Sequence, residues 1–332
     1  MVANSAGARI IVADNGSPDD SVAFLKQHYP DIELIDLQQN WGFAEGYNQA
    51  LKQVKAEIYV ILNSDVEVAP GWLDPILEAM KNDPSIAVAQ PKILAWKEPQ
   101  PLNSSTAQPP STLNLFEYAG ASGGWIDQLG YPFCRGRIFS QREPDLGQYD
   151  TPQECFWASG AAFFIRAELY HRFGGFDGDY FAHNEEIDLC WRLKRAGYKI
   201  WCIPQSVVWH LGGGTLEYEN PRKVFLNFRN SLYSLLKNEP WQKLLWLIPA
   251  RFLLDGLAGA RFAAKRQFKA IWAIVRAHFS FYANFGLMLQ KRKEVTQIVE
   301  KEQIAPKNKN GIYPGSIIIA HYLRRVKVFS KL

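Results

Sequence analysis

The chain has 332 residues, 47% of them hydrophobic and 21% charged, with a formal net charge of +4. That balance supports a substantial buried core and excludes global disorder, and so small a charge excludes wholesale nucleic-acid binding. The four cysteines (Cys134, Cys155, Cys190, Cys202) show no C-x-x-C spacing and read as free thiols of a reducing cytosol, not as a disulfide framework or zinc site.

The opening residues Met1 to Ser5 have neither the basic segment nor the apolar core of a signal peptide. No run reaches the ~20 uninterrupted apolar residues that span a bilayer. No internal repeat stands out, and Lys97 to Pro110, rich in Pro, Ser and Gln, reads as a surface loop.

In chain order, Arg9 to Ala13 predicts a strand that ends on Asp14-Asn15-Gly16-Ser17-Pro18, followed by a helix through Gln27. Asp14, taken alone, is equally a turn or cap residue. Ile32 to Leu37 alternates as a second strand. It leads into Asn40-Trp41-Gly42-Phe43, and the spacing N-x-G-F-x-x-G-x-N ends on Asn48. Glycines at the opening of a helix let the backbone of a ligand approach closely. Ile58 to Leu62 is a short β-branched run and predicts a buried strand that delivers Asn63 and Asp65 to its carboxyl end. There, one carboxylate with an oxygen ligand two positions before it suits a hard divalent ion shared with a diphosphate. A strand-ending turn is the plain alternative.

Pro70 is expected to begin a helix, and Ser85 to Leu94 is a fourth strand. This strand–helix rhythm predicts a mostly parallel α/β sheet with helices on both faces. Phe116 to Phe139, rich in Gly and aromatics, suits a loop excursion over a site, and the sheet resumes at Phe156 to Ile165. Glu185, Glu186 and Asp188 open a helix that ends near Gly197. At helical spacing Glu185, Asp188 and Arg192 share a face, while Glu186 lies with Cys190 and Leu193. Acids in a first turn often only complement the helix dipole. Three of them beside Gly174-Gly175-Phe176-Asp177 point to a site, and a carboxylate with apolar neighbours has the raised pKa a general base needs. His210, at a strand end before three glycines, is a candidate metal or phosphate ligand.

From Trp241 to Lys293 the composition changes to basic, aromatic helices with Asp255 as their one acid among the basic residues. This predicts a membrane-interface surface, with Arg261, Lys265 and Lys269 on one helical face. Helices packed on the core, with their lysines in water, are the alternative.

Together the motifs from about Ala8 to Thr215 resemble the family-2 glycosyltransferases of GT-A fold, in their bacterial rhamnosyltransferase-like branch. Val12 to Ser17, Asn40 to Phe43, Leu62 to Asp65, Gly174 to Asp177, the run from Glu185 and His210 carry the likeness, and Arg229-Asn230 continues it. The resemblance implies inverting transfer of a sugar, rhamnose by branch, from a nucleotide-diphosphate donor with a divalent metal, Mg or Mn. Asp14 then contacts the nucleotide base. Asp65 is the metal-binding Asp of the D-x-D motif, with Asn63 in place of the first Asp, and His210 completes the metal or diphosphate shell. Asn15, Asn40, Gly42, Phe43 and Asn48 line the nucleotide side. Glu186 stands where the family has an Asp as base, one methylene longer, with Asp188 and Glu185 beside it to share the role.

The resemblance also implies an apolar strand and an Asn-rich turn before Ala8, which this chain lacks, so Met1 to Ser5 reads as the end of a first helix. Two parts are expected: a catalytic GT-A domain over 1–220, and a helical extension over 221–332. A cytoplasmic enzyme on the inner face of the bacterial membrane, acting on a lipid-linked or polysaccharide acceptor, is the leading expectation. An inactive fold-mate that binds nucleotide sugar or a partner is the alternative. A sugar nucleotidyltransferase is a third, disfavoured because no Gly-rich triphosphate loop lies near the start.

Overall fold

The structure is a computed structural model that describes residues 1–96, 114–212 and 220–332. The expected loop from Lys97 to Pro110 lies outside the described residues, as do Gly213 to Thr215. Along the chain run β1 (Ile11–Asp14), α1 (Ser21–His28), β2 (Glu33–Asp36), α2 (Gly42–Leu51), β3 (Ile58–Leu62), β4 (Val66–Val68), α3 (Asp74–Asn82) and β5 (Ile86–Ala95). Short strands follow: β6 (Gly124–Asp127), β7 (Pro132–Cys134), β8 (Arg137–Ile138), β9 (Gln141–Arg142) and β10 (Gln153–Cys155). Next come β11 (Ala162–Arg166), α4 (Ala167–Arg172), α5 (Glu185–Arg195) and β12 (Lys199–His210). Four helices then precede β13 (Ile312–Tyr313): α6 (Pro221–Asn238), α7 (Trp241–Ala264), α8 (Phe268–Ala283) and α9 (Phe285–Glu302).

The class is α/β as expected, but the sheet is mixed, not mostly parallel. Its order is β10–β12–β5–β11–β3, with β4 also on β12, and only β5 and β12 run parallel. β11 arrives from far along the chain and inserts antiparallel between β3 and β5. Its direction is set by that long return and leaves no trace in local periodicity. β1 and β2 form a separate parallel pair.

Strand alternation divides the core into two layers. Ala89, Ile93 and Phe164 face Ile76 and Met80 of α3, while Val88, Phe163 and Ile165 share a cluster with Leu189 and Leu193 of α5. Helices therefore cover both faces, and each fully buried aromatic contributes about 2–3 kcal/mol. The helix expected from Pro70 begins instead at Asp74, where Pro75 occupies the first turn without a missing donor.

The aromatic stretch read as a loop excursion is a second sheet, β13–β6–β7–β8–β9. Its outer strand β13 comes from the tail, so no local pattern could announce it. The cysteines are free and buried, as the spacing implied. Among the described residues no helix is long and apolar enough to cross a membrane. α7 ends at Ala264, and Arg266 takes a left-handed conformation before α8, so Arg261, Lys265 and Lys269 surround a turn and do not share one helical face. Arg251, Lys291 and Arg292 turn inward onto protein groups and do not belong to an outer basic surface.

Candidate active site

The carboxyl end of β3 is fixed from two sides, by Tyr47 Oη donating to Leu62 O (3.2 Å) and Asn63 N donating to Ala161 O (3.1 Å). The chain then reverses into β4, whose Val66 pairs with His210 at the end of β12. Leu211 N donates to Asp65 O (3.0 Å), closing that corner. The two elements bring Asp65 Oδ1 to 3.1 Å from His210 Nε2. The hydrogen bond with His210 holds the Asp65 carboxyl below its usual range. Burial pushes the His210 imidazole down, but the hydrogen bond to Asp65 and the adjacent Glu117 carboxylate outweigh it and raise it to about 9. Asn63 stands half-buried at the same strand end.

A carboxylate and an imidazole held this close, on unrelated strands, fit a divalent ion. His210 Nδ1 is buried and makes no hydrogen bond. Among the described residues there is no cluster of three or more His, Cys, Asp or Glu side chains arranged to cage a metal. An ion here would therefore draw its remaining ligands from a bound diphosphate and water.

The turn after β1 and the start of α2 form one rim. Asp14 is buried, and its Oδ2 accepts from Gly16 N (3.0 Å) and Ser17 N (3.1 Å). Asn15 Oδ1 accepts from Trp41 N (3.0 Å) while its Nδ2 donates to Gly42 O (2.9 Å), and Asn40 Oδ1 accepts from Gly42 N (2.9 Å). Gly42 has φ +77°, and a Cβ there would lie 2.6 Å from the Phe181 ring. Phe43 packs edge-on against Tyr47 and near Phe176. Asn48 has a different place from the rest of its motif. Its Oδ1 accepts from Tyr170 Oη (2.7 Å) and Phe176 N (3.0 Å), and its Nδ2 donates to Glu45 (2.9 Å) and Phe176 O (2.8 Å). Two of these four bonds hold Phe176 of the Gly174 to Phe176 loop, and the other two tie the amide to Tyr170 and Glu45.

The three acids of α5 separate in the same way. Asp188 is fully buried; Arg192 Nε (3.0 Å) and Lys237 Nζ (2.9 Å) donate to its Oδ2, and Asn238 Nδ2 (2.9 Å) donates to its Oδ1. That carboxylate is sealed in an ion network. Glu186 is half-buried with Oε2 shielded and unpartnered, and burial raises it to about 7. Glu185 is buried, also with an unpartnered Oε2, and rises well above the usual range through burial and then the charge of Glu186.

The approach to α5 is strained. Phe181, His183 and Asn184 all have positive φ, which costs about 1–3 kcal/mol each. Asn230 supplies the compensation. Its Nδ2 donates to Tyr180 O (3.0 Å), Ala182 O (2.9 Å) and His183 O (2.7 Å), and Arg229 donates to Asp179 O (2.8 Å).

Sequence reasoning missed Glu117, which lies 3.4 Å from His210 Nδ1 on the side away from Asp65. No motif surrounds it, and nothing local signals it. Its charge is felt by Lys223, and burial, followed by the Lys223 charge, depresses His183. The buried Cys134 feels both Glu117 and Glu186. These electrostatic influences run from Glu117, beside His210, toward residues near the start of α5. A cavity of about 480 Å³ opens elsewhere, behind α2, lined by Asn48, Tyr170, Asp177, Lys237 and Lys291 among others, and neither Asp65 nor His210 borders it.

Residues 4–136 match the family model described as Glycosyl transferase family 2. With the α/β fold, that match and the relatives below support a family-2 glycosyltransferase of GT-A fold, of the rhamnosyltransferase-like kind. It is 26% identical over 268 residues to an N-acetylglucosaminyl-diphospho-decaprenol L-rhamnosyltransferase of Mycobacterium tuberculosis, covering 76% of this chain and 81% of that protein. A pre-mycofactocin glycosyltransferase of the same organism is 28% identical over 212 residues, 63% of this chain and 39% of that protein. Among solved structures, GalNAc-T7 with UDP, GalNAc and Mn2+ superposes with a TM-score of 0.50 at 16% identity, over 69% of this chain and 42% of that one. That last likeness concerns fold alone.

Proposed function

We propose that this glycosyltransferase moves a sugar, rhamnose by its likeness to the mycobacterial relative, from a nucleoside-diphosphate donor to a hydroxyl of a lipid-linked or glycan acceptor with inversion. The observation that carries the reading is the Asp65–His210 corner together with Glu186, whose Oε2 is unpartnered and whose pKa burial raises to about 7. Asp14, Asn15, Asn40, Gly42 and Phe43 form the nucleotide side. Asp65 and His210, with Asn63 beside them, would hold a Mg or Mn ion. When bound, that ion stabilises charge on the departing diphosphate.

Glu186 Oε2 takes the proton of the acceptor hydroxyl as that oxygen bonds to the anomeric carbon and the bond to the diphosphate breaks. The nucleoside diphosphate leaves with the electron pair, and Glu186 returns its proton to water. Asp188 is set aside as base because four donors, from Arg192, Lys237, Asn238 and Tyr180, already occupy its carboxylate. Glu185, buried next to Glu186 with its pKa raised by burial and then by the Glu186 charge, is a neighbour of the base.

The surface of α7 and α8 supports placement at a bilayer. Leu245, Trp246, Leu253, Leu257, Phe268, Trp272, Phe279 and Tyr282 are exposed, and Arg261, Lys265, Arg266, Lys269 and Arg276 supply positive charge around them. Phe262, Ala270 and Ile274 pack on Val224 and Phe225 of α6, and Arg222 of that helix stacks on Phe181 at 4.5 Å. The basic turn thus belongs to the same end of α6 as the strained loop before Glu186. This reading holds the enzyme peripherally at the inner face of the cytoplasmic membrane, where a lipid-linked acceptor resides.

The test is a panel of nucleotide sugars followed by binding and by release of free nucleoside diphosphate in the presence of lipid-linked glycan acceptors. Acceptor-dependent release supports transfer. Binding with no release across the panel makes the protein an inactive fold-mate.

A further inference from the structure

His210 is bordered by two carboxylates, and the motifs explain only one of them. Asp65 faces Nε2 at 3.1 Å. Glu117 Oε2 lies 3.4 Å from Nδ1, a buried nitrogen without a hydrogen-bond partner. The backbone fixes this second approach. Glu117 N donates to Ile93 O (3.0 Å), Phe116 bridges Leu94, and His210 sits opposite Ala95 on the same strand β5. Both residues are therefore referenced to one strand end, two residues apart.

The carboxylate itself is built in. Glu117 is 4% exposed, and its Oε2 accepts from Ala119 N. The loop leaving His210 then closes over it at Gly212, whose φ is +62° and whose Cβ, had it one, would lie 2.5 Å from Glu117 Oε1. A side chain at 212 would push the carboxylate off its place, so the glycine and the glutamate form one arrangement.

We infer that Glu117 is a positioning residue for the metal corner. Its carboxylate accepts the Nδ1 proton of His210, fixes the ring plane, and leaves the Nε2 lone pair directed at the ion that Asp65 also holds. A carboxylate on the far ring nitrogen also makes the imidazole a stronger ligand, and loss of such a partner typically weakens metal affinity about 10–100-fold. The inference rests on the reading of Asp65 and His210 as the ion-holding pair.

The experiment titrates Mn2+ into the full chain with uridine, thymidine or guanosine diphosphate, whichever binds best. Free Mn2+ is followed by electron paramagnetic resonance against a protein-free control. Glu117→Gln is expected to weaken the ternary complex about 10–100-fold. Metal-free nucleotide affinity and the metal-free melting midpoint should hold, which a merely structural residue would not allow. Glu117→Asp keeps the charge and should recover part of the loss. His210→Ala sets the scale. If Glu117→Gln binds Mn2+ within about twofold of wild type while His210→Ala loses tenfold or more, the inference is overturned and the metal pair stands. If Glu117→Gln lowers the melting midpoint as well, Glu117→Asp decides: equal loss of metal affinity with no recovery overturns the role. Wild-type protein that takes up no Mn2+ removes both readings together.

Discussion

In the sheet half, carboxylates, amides and an imidazole gather at strand ends, while apolar side chains lie between α3 and α5. In the α7–α8 pair the arrangement is reversed. Arg251 and Asp255 are buried, with Arg251 over the Tyr131 ring at 3.9 Å and Asp255 3.0 Å from His278, whereas leucines, tryptophans and phenylalanines face outward. A helix pair that buries an arginine and an aspartate while showing leucines and aromatics among exposed basic residues offers the surface that the proposed bilayer contact requires. The sheet half gathers polar groups at its strand ends, and the hairpin presents apolar side chains outward.

The sharpest break is expected in the polar half. Asp65→Ala should abolish transfer, because it removes the principal ion ligand at a strand end whose backbone bonds do not depend on the side chain. Released nucleoside diphosphate measures the loss, and circular dichroism should show an intact fold. Wild-type turnover that is unchanged in a chelator would sink the metal role.

Next in size, Glu186→Gln should lower turnover by roughly 10²–10⁴-fold with donor binding nearly unchanged, the range for loss of a general base. A base must be deprotonated, so wild-type kcat/KM should rise with pH through about 7, and the Gln variant should lack that limb. Asp188→Asn should act on stability instead. It removes one charge from a sealed pair with Arg192 and Lys237, at a cost of about 3–5 kcal/mol. A fully stable, inactive Asp188→Asn would return the base role to that residue.

The contrast between these two acids shows what the sequence could carry. Helical spacing correctly set Asp188 beside Arg192 and apart from Glu186. It could not show Lys237 and Asn238, which arrive from α6 about fifty residues later. The strand-end motifs were legible because a β-branched run followed by Asn or Asp is a local pattern, and β3 lies where its run predicts. Asn48 looked like its neighbours in the glycine motif, yet its partners Tyr170 and Phe176 are remote. Sheet polarity, the small sheet completed by the tail, and Glu117 depend on long-range pairing in the same way.

The hairpin half can be broken separately. The wild-type protein should co-sediment with anionic vesicles and be released incompletely as salt rises, since the aromatic contribution is not screened. Reversing charge at Arg261, Lys265 and Lys269, at about 1 kcal/mol per basic residue, should weaken partition by at least about 10²-fold without changing the metal-free melt. Wild-type protein that ignores anionic vesicles at low salt would make this surface a packing or oligomer face.

The smallest effect is a gain. Burying an ionisable carboxyl costs stability wherever the group is charged, and the backbone hydrogen bonds to Glu186 do not offset that cost. Its pKa is raised in the fold to about 7 from an ordinary 4.5, so the folded state binds more protons between those values than the unfolded chain does. Stability attributable to this group therefore falls as pH rises from 4.5 to 7, and the penalty is complete above 7. The full shift corresponds to at most about 3 kcal/mol, and partial access of the side chain to water reduces that to about 1–2 kcal/mol. Glu186→Gln should thus melt later than wild type at pH 8 and alongside it near pH 4.5, while losing turnover. The hairpin substitutions should show no such pH-dependent gain, because those side chains are exposed at the surface. Equal melting of Glu186→Gln and wild type at both pH values would mean that Glu186 finds a partner in solution, and its assignment as a poised base would fall with it.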